Sequence, residues 1–209
     1  MILAASAAAV LIALTVCARF QVYLWRNNTA LFEHALKVTD NNYLAYALLA
    51  TSLRQQGKLE KALEYDSKAL QINPGYSPAH VDRGMILFQM GKLDVAALDF
   101  QQALEINPNF TEAHKNLGKV LSLQGKLDAA AEHFQQAILL EPLDPELNFE
   151  LGVVLGRQGK LKEADVQFNQ ALQIKPDFAA AHYNLGFSLL CQDKVDAALT
   201  HLTWAVQLD

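Results

Sequence analysis

The 209-residue sequence predicts an all-α fold, a solenoid of antiparallel helix pairs preceded by one apolar N-terminal helix. Three observations carry this. First, the chain repeats itself every 34 residues: Gly118, Gly125, Ala130, Phe134, Ala137 and Pro142 return 34 residues earlier as Gly84, Gly91, Ala96, Phe100, Ala103 and Pro108, and 34 later as Gly152, Gly159, Ala164, Phe168, Ala171 and Pro176. A fixed period of about 20–50 residues marks a repeat architecture and outranks any local reading. Second, each period contains two helical stretches, parted by a Gly-Lys pair and closed by a proline. Third, residues 1–18, MILAASAAAVLIALTVCA, carry no charge.

The leader comes first. At ~1.5 Å per helical residue it covers about 27 Å, close to a ~30 Å hydrocarbon core. Extension to Val22 makes the segment 1–22 long enough, with Arg19 snorkelling and Phe20, Tyr23 and Trp25 supplying interfacial aromatics. The expectation is one transmembrane helix. A signal peptide lacks its basic n-region here, and a buried first helix of the solenoid stays open as an alternative. Arg19, Arg26 and Lys37 follow the span, so the positive-inside rule puts the repeats in the cytoplasm.

Residues 23–42 read as the second helix of a partial repeat. Asn27, Asn28 and Thr29 suit a helix start, and Leu31, Phe32, Ala35, Leu36 and Val38 recur at helical spacing. Five units follow at 43–76, 77–110, 111–144, 145–178 and 179–209, the last one short. Helix A of each unit closes at Gly57-Lys58, Gly91-Lys92, Gly125-Lys126 or Gly159-Lys160, since glycine takes the left-handed position that ends a helix. Asp193-Lys194 stands there in the fifth unit and is a poorer closer. Helix B ends before Pro74, Pro108, Pro142 and Pro176, because the residue before a proline avoids the helical region.

Gly84, Gly118, Gly152 and Gly186, with Ala50 in the first unit, fall mid-helix A, where glycine costs up to ~1 kcal/mol. Close helix contact must offset that cost. Ala62, Ala96, Ala130, Ala164 and Ala198 are the facing small positions on helix B, and Phe100, Phe134, Phe168 and Leu202 fill the gaps. One helix pair cannot bury such a face alone, so neighbouring units must stack.

Leu117-Gly118, Ala130, Phe134, Ala137 and Pro142 together resemble the tetratricopeptide repeat motif, and the resemblance covers about residues 25–209. It implies a right-handed α-solenoid. Two residues depart from the motif: Arg83 stands in the apolar slot of Leu117, and Asp66 in the aromatic slot of Phe134. Each is expected to reach solvent or to mark an irregular surface. The junction YLWRNNTALFEHALKVTDNNYLAYALLA resembles the join of last membrane helix and first repeat in multi-span, glycosyltransferase-like proteins such as protein O-mannosyltransferases. That resemblance implies repeats on the extracytoplasmic side, against the charge rule. It transfers no catalytic residue.

Tetratricopeptide arrays bind partners in the groove lined by helix A. Carried over by position, the resemblance implies a peptide-binding groove made by Arg54 in the first unit; Val81, Met85 and Phe88 in the second; and Lys115 and Lys119 in the third. Phe149, Val153 and Arg157 follow in the fourth, and Tyr183, Phe187 and Leu190 in the fifth. The ligand that fits is a peptide or protein segment with apolar anchors and an acidic group. Phe149→Glu plus Phe187→Glu is expected to abolish capture without unfolding, unless these phenylalanines pack between repeats.

Other functions find little footing. The net charge of −5 argues against nucleic acid. Cys17 and Cys191 make no disulfide framework and have no metal spacing. His80, His114 and His182 share one slot in three units, a ladder and not a cluster. No catalytic set, cofactor motif or metal site is visible. The expectation is a membrane-anchored, non-enzymatic scaffold, with the tail of a glycosyltransferase-like membrane protein as the alternative. Leu199, Leu202, Trp204, Val206 and Leu208 crowd the final helix, so self-association is expected unless further residues cover them.

Overall fold

A computed structural model of the chain describes residues 28–208. Among the described residues there are eleven helices and no strand. They are α1 (Asn28–Val38), α2 (Tyr43–Gln55), α3 (Leu59–Ile72), α4 (Ser77–Gln89), α5 (Leu93–Ile106), α6 (Thr111–Leu123), α7 (Leu127–Leu140), α8 (Pro145–Arg157), α9 (Leu161–Ile174), α10 (Ala179–Leu190) and α11 (Val195–Leu208). The fold is thus a helical repeat solenoid. It divides into two compact units between Ile86 and Leu87, within α4.

The segment 1–22 and the Trp25 end of the junction lie outside the described residues. Among the described residues no helix is long and apolar enough to cross a membrane. The described part of the junction forms α1 and the start of α2, which are ordinary repeat helices.

In the first unit α1 packs on α2 and α2 on α3. Ala47, Ala69, Leu70 and Ala79 form a core, with Tyr43, Tyr46 and Tyr76 packed around it. Gln56 Nε2 donates to Thr29 Oγ1 at 2.9 Å, tying α1 to the end of α2. Asn42 caps α2 by accepting from the Ala45 amide at 2.9 Å. Val38, read from its spacing as apolar-face, is in fact 64% exposed at the last residue of α1.

In the second unit the helices pack in chain order from α5 to α11, and α6 and α8 each also touch the next helix A. Phe100, Phe134, Ala130 and Ala164 are fully buried. The mid-helix glycines allow close approach: a Cβ on Gly152 would lie 2.6 Å from the Phe168 ring, and one on Gly118 3.0 Å from Phe134. Nothing shorter than glycine exists, so the ring packs directly on backbone and the propensity cost is offset there. Consecutive repeats are also tied by side chains, with Gln124 Nε2 donating to Asp94 Oδ1 and Gln158 Nε2 to Asp128 Oδ1, both at 2.9 Å.

The helix A closers are left-handed, with φ from +73° at Gly57 to +77° at Gly159; Asp193 takes the same conformation at +60°. Aspartate tolerates it at a cost of about 1 kcal/mol against glycine. Asp193→Gly is therefore expected to stabilise the second unit by about that amount, read as a higher urea midpoint with unchanged slope; a lower midpoint would show that the aspartate side chain holds the turn.

Candidate functional site

The implied groove residues divide between the two units. In the first, Arg54 closes α2 and donates from Nε to Asp82 Oδ1 at 2.6 Å, while Thr51 Oγ1 donates to Asp82 Oδ2 at 3.0 Å. Arg54 is a structural cation, clamped on a buried carboxylate. Val81 is only 4% exposed and belongs to the core. Its slot is filled by long side chains in the later repeats and by Ala47 in the first, and a short valine on α4 does not reach the surface. Met85 is half-buried.

Beneath Arg54 lies the residue that departs most from the repeat pattern. Asp66 is fully buried, not solvent-reaching; no donor reaches its carboxylate oxygens, and when protonated it faces Asp82 as a hydrogen-bond acceptor. Burial, and then the negative charge of Asp82, push its pKa from 3.8 up to about 9, against the pull of Arg83 and Arg54. Asp66 is a neutral acid at pH 7, standing where other repeats place phenylalanine. The mid-helix small position of this repeat is Ala50, not glycine.

In the second unit Phe88 is half-buried. Lys115 Nζ reaches Glu146 Oε2 at 2.8 Å and Asp144 Oδ2 at 3.1 Å. Burial works against its charge, yet these two bonds hold its pKa above the ordinary lysine value, and the same contact lowers that of Glu146. Lys119 Nζ lies 3.2 Å from Glu150 Oε1. Arg157 Nη1 donates to Ser122 Oγ at 2.7 Å and to the Ser122 carbonyl at 2.8 Å. All four basic points of the implied groove thus have intramolecular partners. Sequence reading missed those partners because they sit in the neighbouring repeat. The usable signal was an acid 28–31 residues beyond each of Arg54, Lys115 and Lys119.

The apolar residues differ among themselves. Phe149 is half-buried, its ring centroid 5.0 Å from Phe178 and 6.0 Å from Phe168, so it packs on α9 and on the N-cap of α10. Val153 is half-buried beside it on α8. On α10, by contrast, Tyr183 is 56%, Phe187 57% and Leu190 41% exposed. Their i, i+4, i+7 spacing puts them on one helix face. Beside Tyr183 a cleft of about 410 Å³ opens, lined by Ala179, Ala180, Tyr183, Asn184, Ala205 and Val206.

The histidine ladder is paired where the sequence suggested single packed rings. His114 Nε2 lies 3.0 Å from the Pro108 carbonyl, and its Nδ1 lies 3.0 Å from His133 Nδ1. A carbonyl only accepts, so Nε2 carries the hydrogen, Nδ1 of the neutral ring accepts, and His133 Nδ1 donates. His182, His201 and the Pro176 carbonyl repeat this arrangement at 3.0 and 2.9 Å. Burial, then the paired ring, lowers the pKa of His133 and of His201. His80 Nε2 donates to the Pro74 carbonyl at 2.9 Å. These are helix-to-turn braces. Among the described residues no three metal-binding side chains converge.

Two family models match the chain. One, described as TPR repeat, matches residues 84–125, 122–159 and 157–193; the other, Tetratricopeptide repeat, matches 29–77. Among solved structures, YrrB, described as a TPR protein with an unusual peptide-binding site, superposes with a TM-score of 0.74 at 26% identity, over 85% of this chain and 92% of that one. MamA from Desulfovibrio magneticus RS-1 gives 0.76 at 21% identity, over 81% of this chain and 96% of that one. PilF from Pseudomonas aeruginosa gives 0.73 at 21% identity, over 80% and 76%. No curated protein matches the chain. The 34-residue helix pairs, the glycine-on-phenylalanine packing and a family match over more than half its length agree: this chain belongs to the tetratricopeptide repeat family.

Proposed function

We propose that the chain is a non-catalytic scaffold that captures a protein or peptide segment through apolar anchors seated on α10. The observation that carries this is the exposed face of Tyr183, Phe187 and Leu190, set against Arg54, Lys115 and Lys119, which are ion-paired within the fold, and Arg157, which is hydrogen-bonded to Ser122. Exposed apolar residues grouped on one face mark a contact surface. YrrB, the neighbour at 26% identity, is described as binding peptide, which supports the same class of ligand here. The ligand needs apolar anchors and no acidic group.

The test is a titration with short fluorescein-labelled peptides that carry two Leu or Phe anchors in an otherwise neutral Ser/Gly sequence. Saturable binding is expected, and Lys119→Gln leaves it within about twofold, since a paired, partly exposed lysine contributes little. Preference for acidic peptides, lost in Lys119→Gln, would overturn the reading.

Membrane anchorage through residues 1–22 is part of the same proposal and rests on the uncharged run 1–18. Carbonate extraction tests it: the full chain stays with the membrane if the span is real and leaves with the wash if it is not.

A further inference from the structure

We propose that the pairs His114–His133 and His182–His201 are proton-released latches, through which acid loosens helix B from helix A in the third and fifth repeats and not in the fourth. This goes beyond the capture reading and does not depend on it. The two places concerned recur in every repeat, 19 residues apart. They hold Tyr46 and Tyr65 in the first repeat, His80 and Asp99 in the second, and Asn148 and Gln167 in the fourth. Both are imidazoles in the third and fifth alone.

Each latch is a directed chain of hydrogen bonds. In the third repeat His114 Nε2 donates to the Pro108 carbonyl at 3.0 Å, which leaves His114 Nδ1 bare. His133 Nδ1 donates to it at 3.0 Å, and ring centroids only 5.2 Å apart put both Nδ1 atoms close to the line between the rings. In the fifth repeat Pro176, His182 and His201 do the same, and the Trp204 ring lies 6.2 Å from His182. The inner rings, His114 and His182, are buried; the outer ones, His133 and His201, are half-buried and carry the bare Nε2. One proton adds at that Nε2 and leaves the Nδ1–H···Nδ1 bond in place. A second has only the Nδ1 of the inner ring, where it turns the acceptor into a donor facing a donor. The closed latch therefore holds at most one extra proton, and the open one holds two.

Opening thus takes up one to two protons, and its equilibrium constant rises about ten- to hundredfold per pH unit below the ordinary histidine value. The charged groups acting on the outer rings are Glu132, next to His133 on α7, and Asp165 of α9, toward His201. Both favour charge there, but burial and the partner ring outweigh them. Asp165 is itself bonded to Ser188 and Gln192 and lies 3.9 Å from Lys194. On the helices flanking α6, Asp94 of α5 is bonded to Gln124 and Glu146 of α8 to Lys115.

The test is amide hydrogen exchange of the full chain at about pH 7.5 and about pH 5, corrected for intrinsic rates so that protection reports opening. One proton taken up between 6.5 and about 5 gives a factor of about thirty, so protection of α7 and α11 is expected to fall at least that far. Protection of α9, helix B of the fourth repeat, stays within about threefold. His114→Asn plus His133→Gln gives the third repeat the residues of the fourth, and keeps α7 protected in acid while α11 still opens. His182→Asn plus His201→Gln does the reverse. Equal losses in α7, α9 and α11 overturn the proposal, as does unchanged protection of α7 in acid. So does a loss in α7 that His114→Asn plus His133→Gln fails to prevent. Should a variant not fold at neutral pH, the contrast between α7 and α9 in the wild type decides alone.

Discussion

Asp66→Asn is expected to flatten the pH dependence of stability across the neutral range. The folded carboxyl titrates at about 9 and the unfolded one near 3.8. Between these values folding takes up a proton. The contribution is therefore fully present below about 4 and is lost as pH rises, at about 1.4 kcal/mol per pH unit. By pH 7 the loss is on the order of 4 kcal/mol. The physical origin is a carboxyl that no donor reaches, facing the Asp82 carboxylate and enclosed where phenylalanine or leucine stands in the later repeats. On the acid side His133 and His201 act in the opposite sense: their lowered pKa values mean that stability falls once pH drops below the ordinary histidine value of 6.5. Urea unfolding of wild type and Asp66→Asn from about pH 5 to about 9 separates the two, since the difference between the curves isolates Asp66. Parallel curves would mean that Asp66 is ionised in the fold.

Tyr183→Glu plus Phe187→Glu is expected to abolish capture of neutral two-anchor peptides, by more than about thirtyfold, while the helical signal stays unchanged. Both side chains are more than half exposed, so their replacement costs the fold little, about 0.5 kcal/mol each at most. A bound apolar anchor would instead meet a carboxylate stripped of water, which costs at least about 2 kcal/mol. Phe149→Glu is different. Its ring lies against Phe168 and Phe178, so this substitution is expected to lower helicity and thermal stability. The pair Phe149 and Phe187 thus separates into one packing residue and one exposed residue. Circular dichroism and peptide titration on the same samples check both halves. A double variant of Tyr183 and Phe187 that unfolds would make that face core.

The helix pairs were legible because their cause is local. Glycine and proline punctuate each repeat, and Gly152 predicts the ring of Phe168 that lies on it. What escaped is everything that depends on the next repeat. Lys115 and Lys119 read as free cations until Glu146 and Glu150 arrive 31 residues later. His114 reads as a single packed ring until α7 brings His133 to its Nδ1. Val81 shares its slot with Ala47, Lys115, Phe149 and Tyr183, yet Val81 is buried, Phe149 half-buried and Tyr183 open. Position within a repeat gives the face of the helix. It does not give what the neighbouring repeat places over that face.

The salt dependence of peptide affinity tests most directly the claim that recognition is apolar and the basic residues are spent inside the fold. Exposed ion pairs between protein and ligand weaken as the Debye length shrinks from about 10 Å at 0.1 M to about 3 Å at 1 M. Neutral two-anchor peptides are expected to bind with the same or slightly higher affinity across that range, because salt leaves apolar contact intact. A steep loss of affinity with rising salt would show that Lys115, Lys119 or Arg157 leaves its internal partner to hold the ligand, and would contradict the account.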